Sequence, residues 1–197
     1  MYPKSGTPLD DRNGNTATSA MINVKLGIPT ATPPILCAAG DGVSNDTSVL
    51  QQMLDYIETT GGVAFFPAGT YLVDQLKLGS DVGIEGESAE STSILQSAPP
   101  VAPQTIVATI VSKGFLTQTN TSALGTRGIS IKSITINGNK SVQASDAVIH
   151  GIAIYGVAFQ LADLLVTNAT GHGIYTEWGG LPNATAEFLK HGQGASF

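Results

Sequence analysis

The sequence predicts an all-β fold: a right-handed parallel β-helix of about five coils, with an N-terminal capping α-helix and an extended N-terminal arm. Three observations carry that expectation. The first is composition, since 23 glycines, 12% charged and 42% apolar residues, with abundant Thr, Ser, Ile and Val, favour strands and turns over a helical bundle. The second is a period. Gly-Ile recurs at Gly83-Ile84, Gly128-Ile129, Gly151-Ile152 and Gly173-Ile174, and Ile106 fills the gap, so an isoleucine returns about every 22 to 23 residues, as in a repeat architecture. The third is alternation: "GISIKSITING" and "GIAIYGVAFQ" keep the two-residue rhythm of strands. Turn segments "NGNK" and "NATGHG" follow, where Asn137, Asn139 and Asn168 suit left-handed backbone. A leucine-rich repeat would need leucines at fixed offsets, and helical repeats have longer periods. Stacked coils about 4.8 Å apart would set Ile84, Ile106, Ile129, Ile152 and Ile174 in one internal ladder.

Residues 1–35 are polar and punctuated by Pro3, Pro8, Pro29, Pro33 and Pro34, with an apolar island from Met21 to Ile28. They read as an attachment arm docked on a partner, or as plain disorder. Residues 36–62 supply an entry strand and the capping helix. The apolar tetrad Ile35-Leu36-Cys37-Ala38 makes Cys37, the single cysteine, a small buried hydrophobe, and one cysteine forms no internal disulfide. In "GDGVSNDTSVLQ", Gly40-Asp41-Gly42 lacks the lysine of a phosphate loop and the later glutamate of a calcium loop. It reads instead as helix entry, with Asn45 or Asp46 as the N-cap. Val49, Leu50, Met53, Leu54 and Ile57 then form one stripe of period 3.6 over 47–60, and Gly61-Gly62 stops the helix. Such a helix covers the open end of the first coil, whose core and strand edges need a cap. Residues 63–197 are the coils, expected to continue beyond this chain.

Charge narrows the function. A net charge of −6 and a pI near 4.8 without a Lys/Arg run give nucleic acid no footing. No window approaches the roughly 18 apolar residues of a membrane span, and the N-terminus lacks a signal-peptide core, so synthesis in a cytoplasm is expected.

The run from Gly40 to Val73, followed by "LKLGSDVGIEGESAESTSIL", resembles the N-terminal segment of pectate-lyase-like single-stranded right-handed β-helix proteins. Bacteriophage tailspikes and capsular depolymerases are the most similar, and polygalacturonase-like enzymes share the opening. The resemblance covers residues 36–96, with the coils to about 178 in general style. It implies a virion tailspike or tail fibre meeting host cell-surface polysaccharide, joined to other tail or baseplate proteins through residues 1–35, and homotrimeric. It implies no cofactor, and it places active carboxylates on later coils. The alternatives are a stand-alone polysaccharide lyase or glycoside hydrolase, and a purely structural tail component.

Within the chain, inward Ile174 turns Tyr175 and Glu177 outward, and the period sets Glu177 above Tyr155 and Lys132. Tyr155, Tyr175, Glu177, Lys132 and adjacent Trp178 form a candidate glycan platform, because aromatic faces beside carboxylates suit saccharides. An ordinary solvent or inter-subunit face is the other reading of this strip. No catalytic residue is assigned; Glu177 is the candidate, without an evident acidic partner, and Glu85 and Glu87 read as turn-flanking acids. Arg127, His150 and His172 precede successive Gly-Ile pairs and should stack at a corner. No metal is expected, His150 with His172 being the alternative.

Overall fold

The structure, a computed structural model, describes residues 20–98, 107–117, 125–178 and 195–196. The chain winds as a parallel β-helix. Its first layer holds β1 (Met21–Asn23), β2 (Asp41–Asn45) and helix α1 (Thr47–Thr60). The next turn is β3 (Gly62–Phe66), β4 (Gly69–Val73) and β5 (Leu76–Leu78). Then come β6 (Val82–Gly86), β7 (Thr92–Gln96) and β8 (Ala108–Ser112), with short helix α2 (Lys113–Thr117) and β9 (Thr126–Arg127). In the following two turns the first and second strands fuse, as β10 (Ser130–Asn137) before β11 (His150–Val157), and β12 (Phe159–Thr167) before β13 (Ile174–Trp178). A last strand, β14 (Ala195–Ser196), lies on β12.

Every pairing between these named strands is parallel. The first and second strands form one wall and the third strands another. Ser133 (φ 52°) and Asp163 (φ 51°) take left-handed backbone at corresponding places of β10 and β12, between the registered pairs Lys132–Ala162 and Ile134–Leu164. Asn139 and Asn168 take left-handed backbone after these strands, as their turn positions predict.

The core is ordered in three ladders. One runs Ile22, Ala64, Ile84, Ile131, Leu161, a second Tyr71, Ile94, Ile136, Val166, and a third Leu76, Ile110, Ile152, Ile174. Each fully buried isoleucine contributes about 1.5–3 kcal/mol. The single ladder expected from the Gly-Ile period is therefore corrected. Ile84 and Ile152 sit on different walls, because the step from Ile84 to Ile131 is more than twice that from Ala64 to Ile84. Ile129, although buried, lies just ahead of β10, and Ile106 lies outside the described residues. Ile174 continues the third ladder but is 40% exposed, so its inward burial is not met.

The capping helix forms over the expected residues. Leu50, Met53, Leu54 and Ile57 are buried against the first coil, and Gly61 N–H closes on the Ile57 carbonyl at 2.7 Å. Its entry differs from expectation. Asp46 stands at the N-cap without a side-chain capping bond; its buried carboxylate instead accepts the N–H groups of Ala39 (2.7 Å) and Gly40 (3.0 Å). Asn45 Oδ1 accepts Thr47 N–H at 3.0 Å. Asp41, at the head of strand β2, binds Val43 N–H, Ser44 N–H and the Ser44 hydroxyl, and these bonds hold its carboxyl below the ordinary value. Gly40 has φ 60°, and a Cβ there would stand 2.8 Å from the Tyr71 ring, so glycine is required.

Three readings of the N-terminal third change. The first-layer strand is 41–45, after the apolar tetrad, and Cys37 is exposed, because only Ile35 and Ala38 of the tetrad turn inward. The arm boundary at residue 35 falls inside the packed unit. Met21–Asn23 pairs with β3, while Val24, Ile28, Ala31 and Ile35 join the core; the apolar island is the bottom of the solenoid. Residues 1–19 lie outside the described residues. No described helix is long and apolar enough to cross a membrane.

Candidate functional site

The outer face of the third-strand wall gathers the rings. Tyr155 of β11 pairs with Glu177 of β13, and Ala153 with Tyr175, as the sequence spacing predicts. Upstream of these positions His150 opens β11 and His172 precedes β13. The turn brings their imidazoles to a centroid distance of 5.3 Å with planes 8° apart. Tyr175 joins them, 4.9 Å from His150 at 15° and 5.6 Å from His172 at 23°. Three similar separations between nearly parallel planes describe laterally offset rings, a stepped surface rather than a pile.

Phe115 completes the wall from α2, edge-on to Tyr175 at 5.8 Å. Beneath it, Ala108, Val111 and Ala153 form a small apolar seat. Helix α2 is tied back to α1 by Lys113, which pairs with Asp55 and Glu58.

Polar groups fix the rings. The Tyr175 hydroxyl donates to Glu177 Oε1 at 2.7 Å, and that carboxylate pushes the phenol above its ordinary pKa. His172 N–H donates to His150 Nδ1 at 2.9 Å. Burial first, and the His172 imidazole second, hold His150 below its ordinary value. A Cβ on Gly171 would stand 2.8 Å from His150 Nδ1, so the missing side chain lets the turn close on the ring.

The site differs from the sequence expectation in membership. Lys132 leaves the strip: it lies on the other wall, in register with Glu85 and Ala162. The cause is the unequal coil length that also split the isoleucine ladder. Arg127 leaves the histidines and faces Asp81 at 3.6 Å. Trp178 contributes backbone to β13 beside Gly156, and its side chain lies outside what the structure describes. Glu87 spends one carboxylate oxygen on Ala68 N–H at 2.9 Å. Phe115 was not foreseen, because "KGFLT" carries no periodic signal. Among the described residues no group of three or more His, Cys, Asp or Glu side chains is arranged to hold a metal ion.

This arrangement stands on a fold shared with known proteins. The family model of rhamnogalacturonase A/epimerase, pectate lyase-like proteins matches residues 36–180. The chain belongs to this family. Members of the rhamnogalacturonase A/epimerase family are named for action on polysaccharide, and the resemblance seen in residues 36–96 is thereby established at the family level. A comparison with curated proteins gives no match.

Among solved structures, the chain shares its fold with the A-module of mannuronan C-5 epimerase AlgE6 from Azotobacter vinelandii. The two are 18% identical with a TM-score of 0.59, over 80% of this chain and 40% of that one. The AlgE4 A-module of the same organism gives 21% identity and 0.58, over 72% and 39%. ORF18 of Geobacillus virus E2 gives 20% and 0.57, over 80% and 28%. The chain thus spans 40% or less of the length of these three similar structures.

Proposed function

We propose that this chain is the N-terminal β-helix segment of a virion tailspike or tail fibre, and that its third-strand wall meets a host surface polysaccharide. The observation that carries the glycan reading is the stepped surface of His150, His172 and Tyr175, flanked by Phe115 and hydrogen-bonded to Glu177. Offset aromatic faces take the C–H face of a pyranose, and an adjacent carboxylate accepts its hydroxyls. Family membership supports polysaccharide as the partner class, and the shared fold of a viral protein is in keeping with a virion setting. In this reading, residues ahead of β1 attach the chain to other tail proteins and the assembled spike is a homotrimer. Size measurement of the full-length protein by light scattering, and comparison of tail-component pull-down by the full chain and by a chain lacking residues 1–19, test these two parts.

A second reading, a polysaccharide-cleaving or epimerising enzyme, draws on the imidazoles beside a tyrosine, groups able to exchange a proton with a sugar carbon. Glycoside hydrolysis fits less well, since it needs two carboxyls about 5 to 10 Å apart and Glu177 is bonded to a phenol. Incubating the chain with host capsule and with uronate polymers separates the readings. Binding that leaves the polymer unchanged in length, saturation and uronate configuration supports the recognition role, and shortened, unsaturated or configurationally inverted products support the enzyme. Silence on glycans combined with binding to tail proteins marks a structural component.

A further inference from the structure

The glycan platform contains one ring whose hydrogen-bonding state the backbone dictates. His150 Nδ1 accepts the His172 N–H at 2.9 Å. A neutral imidazole has one donor and one acceptor nitrogen, so a filled acceptor at Nδ1 assigns the proton to Nε2. Nε2 makes no hydrogen bond to a described residue, whereas the neighbouring Tyr175 hydroxyl is committed to Glu177. The ring is half-buried and held flat against two others, which limits its rotation.

Resting on the glycan reading above, we propose that His150 is the specificity-determining donor of the platform. The His172 backbone N–H locks it as the Nε2–H tautomer, so that it donates to an uncharged sugar oxygen while the pyranose lies on Tyr175 and His172. Charge agrees with an uncharged acceptor: a neutral imidazole on a platform whose Tyr175 is bonded to the Glu177 carboxylate, on a chain of net charge −6, does not recruit an anion.

Protonation has one place to occur, Nδ1, and there it sets two N–H groups against each other, breaking the bond to the turn. Of the titratable groups, His172 on the turn and Tyr175 on β13 meet the His150 ring, and the Tyr175 hydroxyl carries the Glu177 carboxylate. On the adjoining helix α2, Lys113 is engaged by Asp55 and Glu58. Binding should therefore weaken as pH falls through the folded value of His150, which burial and His172 hold below the ordinary histidine value.

The test pairs two substitutions that divide the ring's duties. In His150→Asn the amide reaches the Nδ1 position and keeps an acceptor for His172 N–H, but supplies no donor at Nε2. In His150→Gln the amide nitrogen reaches the Nε2 position. The probes are neutral hexa-oligosaccharides of glucose, galactose and mannose, with hexagalacturonate as the acidic counterpart, titrated calorimetrically against the full chain at pH 7.5 and pH 5. Expected are neutral-probe binding weakened about tenfold in His150→Asn and weakened distinctly less in His150→Gln, which loses the ring face but keeps the donor, with its pH dependence gone. In the native chain, 15N shifts should show Nδ1 unprotonated. Protonated Nδ1 at pH 7.5, preference for hexagalacturonate, or binding unchanged in His150→Asn overturns the donor role alone. If no probe binds the native chain while the tautomer is as assigned, the glycan reading fails and the donor role with it.

Discussion

Gln51 presents its side-chain amide to the main chain of Lys77 as a neighbouring strand would, its Oε1 accepting Lys77 N–H at 2.8 Å and its Nε2 donating to Lys77 C=O at 2.9 Å. The third-strand wall begins at β5, so its outer edge would otherwise offer unpaired backbone groups to any passing strand. Helix α1 thus does two things at once, covering the core with Leu50, Met53, Leu54 and Ile57 and closing the edge with a glutamine. Thr47 adds a third tie, its Oγ1 accepting Asp74 N–H at 2.7 Å.

Gln51→Ala removes both edge bonds without touching the apolar stripe. The expected loss is about 1 kcal/mol for partly solvated bonds, together with faster aggregation. Urea titration and light scattering at matched concentration measure the two, and an unchanged midpoint with unchanged aggregation contradicts the edge role.

Asp46→Ala strikes the buried carboxylate that collects Ala39 and Gly40 N–H. Because it leaves two donors without their charged acceptor, the expected cost is about 2–3 kcal/mol. Asp41→Ala, which removes an exposed carboxylate bonded to its own turn, should cost distinctly less. Equal denaturation midpoints for the two variants would contradict this ranking.

Comparison of these acids shows what the sequence made legible. The helix from Thr47 to Thr60 was legible because period 3.6 is a local signal. The identity of its cap was not, since Asp46 finds partners seven and six residues back in a loop whose path depends on the whole coil. The pairing of Tyr155 with Glu177 was legible because one coil of regular length joins them. Lys132 was misplaced because Gly-Ile marks first strands at Ile84 and third strands at Ile152 and Ile174, and sequence period alone does not tell walls apart. The histidine stack was foreseen as a corner ladder, but its union with Tyr175 and Phe115 depends on where α2 folds back, a tertiary event.

His150 makes stability pH-dependent. Its folded value lies below the ordinary 6.5, so the unfolded chain takes up the proton first as pH falls. Stability is complete above about 6.5 and declines as pH drops through the lowered folded value. Melting midpoints of the native chain at pH 7.5 and pH 5 should therefore differ by more than those of His150→Gln, and equal differences contradict the assignment.

Tyr175→Phe keeps the ring and drops the bond to Glu177, whereas Tyr175→Ala removes a third of the stepped surface. Polysaccharide affinity should fall only a few-fold in the first and more than tenfold in the second. Equal losses would place the binding contribution in the hydroxyl rather than the face.

The most direct measurement of the central claim is amide hydrogen exchange of the full chain with and without host surface polysaccharide. The account predicts new protection over residues 150–157 and 172–178. Protection confined to the opposite wall, around Glu85, Lys132 and Asp163, would contradict it.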